Sequence, residues 1–112
     1  MRRPGIALAF ILIVSAAPGD NSPNDYLLSI TPGAQAKMLG SVVGVHCVGQ
    51  TAFYMGIGET GISEDKAFWS VRCTDRREFN VQVNPDGTTS ILESAVLKAL
   101  NAGVCFKKLK GD

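Results

Sequence analysis

Two runs of alternating apolar and polar residues form the clearest pattern in the chain. They cover residues 69–73 and 79–83, and a short polar stretch at residues 74–77 separates them. In a β-strand every second side chain points to the same face, so this alternation predicts an antiparallel β-hairpin with one buried face. The side chains expected on the buried face are Trp69, Val71, Cys73, Phe79, Val81 and Val83.

The pattern after the hairpin predicts a third strand and a short helix. The Pro-Asp-Gly turn signal at residues 85–87 is followed by a short apolar run at residues 90–92, which can form a third strand. Ser94 is a residue type that caps helices, and the apolar positions within residues 95–102 predict a last helix. Glycine favours the left-handed backbone that ends many helices, so Gly103 marks the expected end.

A helix is also predicted ahead of the hairpin. Thr31 can cap free backbone N–H groups and Pro32 suits the first helical position, so the helix is expected to begin here and to include residues 33–48. Small residues recur at every fourth position, at Ala36, Gly40 and Gly44. That spacing allows another element to approach closely. Because Lys37 and His46 are polar, we interpret this segment as a tightly packed core helix rather than a membrane-dimerising one.

Residues 50–65 are rich in glycine and predict a loop with one short apolar piece at residues 52–55. Within this segment, residues 56–61 match the G-x-G-x-x-G pattern of dinucleotide-binding proteins. That pattern requires a strand before it and a helix after it in a βαβ unit, whereas here a strand follows. We therefore interpret these glycines as turn and loop positions.

The N-terminal segment has the three-part pattern of a secretory signal peptide. Arg2 and Arg3 precede an apolar block at residues 6–14, and small residues follow the block. The block is shorter than the roughly 20 helical residues that a permanent membrane anchor needs. Cleavage is expected after Ala16, because a cut one residue later would place Pro18 beside the scissile bond.

These boundaries predict a signal peptide at residues 1–16, a flexible linker at residues 17–31 and a single small domain at residues 32–112. The whole chain carries 11 Lys and Arg against 10 Asp and Glu. A nearly neutral domain lacks the basic field that nucleic-acid binding needs. The expected location is periplasmic or secreted, and the expected partner is an unidentified protein or envelope component. Membrane contact is expected only through the N-terminal segment, and no cofactor is expected.

The export signal changes the interpretation of the three cysteines, Cys47, Cys73 and Cys105. Disulfides form and persist outside the cytosol, and one disulfide adds about 2–4 kcal/mol to the stability of a small domain. Three cysteines permit three single pairings and leave one thiol free. We favour Cys47–Cys73, which joins the end of the first helix to the buried face of the hairpin. Cys73–Cys105 is the nearest alternative.

The same cysteines, together with His46, are the candidates for metal or thiol chemistry. His46 and Cys47 are weak metal-ligand candidates, and Cys73 and Cys105 are of suitable type, but the paired spacing that marks a zinc site is missing from the sequence. Neighbouring side chains on a helix point about 100° apart, so His46 and Cys47 do not form a catalytic pair unaided. No catalytic residue is predicted.

A family resemblance rests on five segments, mostly in the second half of the chain. They are AFYMGIG at 52–58, AFWSVRC at 67–73, QVNPDG at 82–87, VLKA at 96–99 and CFKK at 105–108. These segments resemble small uncharacterised exported proteins of Gram-negative bacteria, which implies export and no known activity. In those proteins a fourth cysteine lies where this chain has Ser94, and a glycine lies where it has Arg76. The resemblance therefore implies that Cys105 has lost its partner.

A looser similarity links the strand-turn-strand to periplasmic PepSY-type domains, which implies a binding or inhibitory module. Taken together, the patterns predict an α+β fold with an N-terminal helix, an antiparallel hairpin of two or three strands and a C-terminal helix packed on the hairpin. The expected function is that of a non-enzymatic binding or structural module of the cell envelope. Two alternatives stay open: a small cysteine-dependent redox or metal-binding protein, and a membrane-tethered structural protein if the N-terminal segment is not cleaved.

Overall fold

The computed structural model describes residues 21–44, 46–59, 61–100 and 105–109. In chain order the elements are α1 (Ser22–Ser29), α2 (Pro32–Val43), β1 (Gly49–Ile57), a 3-10 helix (Gly61–Ser63), β2 (Ala67–Cys73), β3 (Glu78–Val83), β4 (Thr89–Glu93) and α3 (Ser94–Ala99). The α+β class is confirmed. The predicted signal peptide and the first four residues of the predicted linker lie outside the described residues.

The four strands form one antiparallel sheet in the order β1-β2-β3-β4. The predicted hairpin consists of β2 and β3, and Trp69 pairs with Val81 near its centre. The predicted third strand is β4, in which Ile91 also pairs with Val81. The sheet therefore has four strands instead of the two or three that were expected.

The additional strand, β1, occupies a segment whose glycine content predicted a loop. It pairs with β2, with register shifts between Gly49 and Thr51 and between Tyr54 and Gly56. Each irregularity takes the following side chains out of strict alternation, so the sequence lacks a continuous pattern with period two. The loop prediction is wrong over the length of β1.

The hydrophobic core lies between one face of the sheet and the helices α1 and α2. All six side chains predicted for the buried face of the hairpin are buried, with exposures of 8% or less. Leu27 of α1 and Leu39 and Val43 of α2 belong to the same cluster. The prediction of the buried face is confirmed, and removal of this apolar surface from water is the main stabilising contribution.

Helix α1 lies where part of a flexible linker was predicted, so that expectation is wrong there. Two buried asparagines hold the helix on the sheet. Asn21 caps α1, and its Nδ2 donates hydrogen bonds of 2.8 Å to the backbone carbonyls of Asp65 and Val83. Asn24 accepts a 2.6 Å hydrogen bond at Oδ1 from Trp69 Nε1. The polar composition of this segment therefore predicted a linker, although asparagine side chains hold a helix on the sheet here.

Helix α2 begins as predicted, with the Thr31 side chain accepting a hydrogen bond from the Ala34 N–H. It ends at Val43, earlier than the predicted residue 48. Gly44 has φ 68° and ψ −142°, a conformation almost restricted to glycine, and this conformation turns the chain out of the helix. Cys47 consequently follows α2 in a connecting segment and does not lie within it.

The small residues of α2 allow β1 to lie directly against the helix backbone. A Cβ atom on Gly49 would overlap the backbone carbonyl of Ala36, and a Cβ atom on Gly40 would overlap the backbone of Gly49. The interpretation of α2 as a tightly packed core helix is confirmed, and β1 is the element that approaches it.

Helix α3 packs on β3 and β4, as predicted for the C-terminal helix. Its described part is Ser94–Ala99, and the predicted end at residues 102–103 lies outside the described residues. Glu93 occupies the N-cap position without a side-chain capping hydrogen bond. Ser94 is buried, and its Oγ has no hydrogen-bond partner within the described ranges. The prediction that Ser94 caps this helix is therefore wrong.

Candidate binding groove

The face of the sheet opposite the core, called here the second face, carries both polar and apolar side chains. Because side chains alternate along a strand, Phe68 and Ser70 of β2 point away from the core, and Asn80 and Gln82 of β3 do the same. Helix α3 and residues 105–109 lie against parts of this face. The remaining part is open to other molecules.

An open groove with a volume of about 360 Å³ lies on the second face beside β4 and α3. Its lining includes Phe68, Asn80, Gln82, Ser90, Leu92 and Leu97. The volume falls within the range of natural ligand sites, which are mostly apolar with a few polar groups that fix orientation. The groove has this combination, since Phe68 and the two leucines are apolar and the two amides are polar.

The two amides are partly satisfied by neighbouring side chains. Asn80 Oδ1 accepts a 2.9 Å hydrogen bond from Ser70 Oγ, and Gln82 Nε2 donates a 2.8 Å hydrogen bond to Asn84 Oδ1. Within the described part of the chain, Asn80 Nδ2 and Gln82 Oε1 have no hydrogen-bond partner. The groove therefore offers one donor group and one acceptor atom from adjacent positions on the same face of β3.

Residues 105–109 cross the second face on the side of the sheet nearer β1. The Phe106 N–H donates a 2.7 Å hydrogen bond to Oγ of the buried Ser70. The Phe106 ring centroid lies 6.0 Å from that of Phe53 and 5.0 Å from the guanidinium carbon of Arg72. These contacts fix the segment in place, and Ser70 connects it to the groove through Asn80.

The favoured disulfide between Cys47 and Cys73 is present and joins residues that are 26 positions apart. Cys47 follows α2 and Cys73 ends β2, so the bond links the helical layer to the sheet. Both cysteines are buried. Since Cys73 is already bonded, the alternative pairing with Cys105 is not formed, and Cys105 is a free thiol.

Cys105 lies on the second face, close to Ser70. Burial raises the pKa of its thiol to about 11, and the Ser70 hydroxyl offsets only part of that effect. The thiolate is the reactive form of cysteine. Cys105 is therefore protonated, and correspondingly unreactive, near neutral pH.

The structure does not bring the four metal or thiol candidates together. Cys47 and Cys73 are joined on the core side, Cys105 lies on the second face, and His46 is exposed with φ 64°. Among the described residues, no group of three or more His, Cys, Asp or Glu side chains is arranged to hold a metal ion.

Sequence reasoning did not identify the groove. Asn80 and Gln82 alternate with the apolar residues of the hairpin. This pattern predicted that they lie on its polar face, but it did not mark them as binding residues. Their shared face was available from the sequence. Leu97 lines one side of the groove only because α3 packs against the sheet, and no local sequence pattern predicts that packing.

The predicted membrane contact belongs to the N-terminal segment, which lies outside the described residues. Within residues 21–109, leaving aside the positions that the structure does not describe, no helix is long and apolar enough to cross a membrane. Comparison with protein-family models, curated protein sequences and solved structures finds no match.

Proposed function

We propose that this protein is an exported, non-enzymatic module of the cell envelope that binds an extended segment of a partner protein in the groove beside β4. The observation that carries the proposal is an apolar lining combined with two polar groups, Asn80 Nδ2 and Gln82 Oε1, that form no hydrogen bond with another described residue. Side-chain amides donate and accept hydrogen bonds but supply no nucleophile, acid or base at neutral pH. Their chemistry therefore fits recognition.

The spacing of the two amides supports an extended peptide as the ligand. Asn80 and Gln82 are two residues apart on one face of a strand, a separation of roughly 7 Å. An extended peptide presents its backbone groups on one side with the same repeat. The Asn80 amide can donate to a peptide carbonyl, and the Gln82 carbonyl can accept from a peptide N–H. Phe68, Leu92 and Leu97 provide apolar surface for the side chains of such a peptide.

The Cys47–Cys73 disulfide and the signal-like N-terminal segment support export, since disulfides persist in oxidising compartments. The envelope location is tested by the intact mass and cell fraction of the native protein. We expect a chain that begins at Ala17, recovered outside the cytosol with Cys47 and Cys73 oxidised. An uncleaved chain in the cytosol with three free thiols contradicts the proposal of export.

The groove is tested by photo-crosslinking in living cells. A benzophenone amino acid in place of Phe68 keeps an aromatic ring in the groove and leaves both amides intact, and the same probe at the exposed Lys37 on α2 is the control. We expect a discrete adduct with an envelope protein from position 68 only. We expect Leu92→Asp to remove this adduct, because the substitution places a charge in the apolar lining. Absence of an adduct at position 68, or an equal adduct at position 37, overturns the proposal of groove binding.

A further inference from the structure

Strand β4 is the last strand of the sheet formed by the described residues, and the turn before it determines which of its backbone groups point outward. The Asn84 N–H donates a 2.9 Å hydrogen bond to the Thr88 carbonyl, so these two residues form a bonded pair. In an antiparallel ladder, bonded pairs alternate with non-bonded pairs. The residues of β4 that direct their backbone groups away from β3 are therefore Thr89, Ile91 and Glu93.

The two edges of the sheet differ in how they are covered. At the β1 edge, the Leu109 N–H donates to the Met55 carbonyl at 2.9 Å, and Lys108 Nζ donates to the Tyr54 carbonyl at 3.1 Å. At the β4 edge, no hydrogen bond from the described residues reaches the outward backbone groups of Ile91. Only one of the two edges is therefore occupied by described parts of the chain itself.

Strand β4 also lacks the features that usually protect an edge strand. Natural edges are commonly interrupted by proline, lysine or a β-bulge. The sequence of β4 is Thr-Ser-Ile-Leu-Glu, and its pairing with β3 has no register shift. Ile91 and Leu92 are each 38% exposed. The edge is therefore regular, nearly uncharged and apolar at its centre, which favours the addition of another strand.

We propose that β4 pairs with β4 of a second copy of this chain, antiparallel and centred on Ile91, so that two sheets of four strands join into one. Each Ile91 then exchanges two backbone hydrogen bonds with the Ile91 of the other copy. The N–H of each Glu93 donates to the opposite Thr89 carbonyl. The Glu93 carbonyl does not take part, because the carbonyl of an N-cap residue accepts the first hydrogen bond of its helix.

The charge pattern of β4 favours a second copy as the occupant. Pairing about Ile91 is self-complementary, as a two-fold symmetric interface requires. In this register Glu93, the only charged residue of β4, lies opposite an uncharged Thr89 and not opposite its own copy. Like charges directly opposite each other would destabilise the pair. The two-fold axis is perpendicular to the sheet, so both grooves face the same side of the dimer.

The test uses the mature, disulfide-bonded protein and measures the dimer dissociation constant by sedimentation equilibrium. We expect concentration-dependent dimerisation of the wild-type chain. Thr89→Lys places a lysine opposite Glu93 of the other copy. The symmetric interface contains two such ion pairs, so the dissociation constant should fall about 2- to 30-fold. Thr89→Glu is the matched variant, and its repulsion should raise the constant by a similar factor. Urea unfolding verifies that both variants fold.

Ile91→Pro gives an independent measurement, because it removes an outward N–H and leaves the bonds to β3 intact; the variant should be monomeric. A wild-type chain that is monomeric at every concentration overturns the proposal, as does an equal response to Thr89→Lys and Thr89→Glu. An extended peptide of another protein recovered on β4, with a monomeric chain after its removal, overturns it in favour of a foreign strand. The crosslink from position 68 does not require dimerisation, so the two proposals can fail separately.

Discussion

Arg76 occupies the same position in the turn between β2 and β3 that Gly87 occupies in the turn between β3 and β4. The Arg76 N–H donates to the Cys73 carbonyl, and the Gly87 N–H donates to the Asn84 carbonyl, each at 2.9 Å. Both residues have positive φ angles, 77° for the arginine and 90° for the glycine. A side chain with a Cβ atom is strained in this region and glycine is not. Two turns of the same form therefore differ in backbone strain.

We expect Arg76→Gly to stabilise the protein by about 0.5–1 kcal/mol, because relief of the strain exceeds the entropy that a glycine adds to the unfolded chain. For a domain of this size the midpoint of thermal unfolding should rise by about 2–8 °C. Circular dichroism measures the shift. Gly87→Ala introduces the same strain into the other turn and should lower the midpoint. A lower midpoint for Arg76→Gly contradicts the interpretation.

The contact between α2 and β1 makes a second prediction. Gly49→Ala should destabilise the protein by about 1–3 kcal/mol, since the new methyl group overlaps the Ala36 carbonyl and both backbones must move. Gly33→Ala is the matched control, because a Cβ atom there meets nothing within 4 Å. Alanine at this helical position should be neutral or stabilising by up to about 1 kcal/mol. Urea denaturation compares them, and equal free energies of unfolding would refute the close approach.

Removal of the disulfide makes a third prediction. The bond closes a loop across a separation of 26 residues, for which loop-closure entropy gives about 3.5 kcal/mol. The double variant Cys47→Ala with Cys73→Ala should lose about that amount in urea denaturation. Cys105→Ala should leave the disulfide unaffected and serves as the control for loss of a thiol. Thiol counting on the unreduced, denatured protein should give one free thiol, and a count of three would rule out the bond.

The pH dependence of Cys105 makes a fourth prediction. Its pKa is about 11 in the folded protein against an ordinary value of 9.0, because burial disfavours the thiolate. Alkylation by iodoacetamide should be slow near neutral pH and should accelerate about tenfold per pH unit up to pH ~11, since only the thiolate reacts. An alkylation rate that already levels off near pH 9 would contradict the shift.

The same shift has a consequence for stability. A raised pKa means that the folded state holds the proton more tightly than the unfolded state, so the contribution of Cys105 is complete below pH 9.0 and is lost as the pH rises to about 11. Cys105→Ala should remove this part of the alkaline loss. An unchanged alkaline profile in the variant would show that other groups account for it.

The parts of the fold that could be predicted from the sequence are those specified by neighbouring residues or by a repeating pattern. The hairpin of β2 and β3, its buried face and the beginning of α2 depend on alternation and on the Thr31 cap, which neighbouring residues specify. Strand β1 was not predicted because two register shifts break its alternation. Helix α1 was not predicted because Leu27 is its only buried apolar side chain and its other buried residue is Asn24, so no apolar periodicity marks it. In each case the missing information was a partner distant in sequence.

The same distinction applies to the candidate site. The sequence predicted two parts of it. Alternation placed Asn80 and Gln82 on one face of the strand, and the export signal predicted that two of the three cysteines form a disulfide. The groove itself requires α3 to fold back over β3. The difference between the two edges becomes apparent only because, among the described residues, the segment 105–109 bonds to β1 and not to the outward groups of Ile91. Neither arrangement depends on a residue type or spacing that a single sequence displays.

Trp69 is the only tryptophan in the chain, and its indole N–H bonds to an asparagine on α1 that lies 45 positions earlier. The strands, in contrast, pair with their neighbours in sequence. Detachment of α1 would therefore expose the indole while the four-stranded ladder stays paired. Native proteins open locally at a lower free energy than they unfold globally. A change in Trp69 emission that precedes the loss of the far-ultraviolet circular dichroism of the sheet would therefore report local opening of the first helix, without an added label.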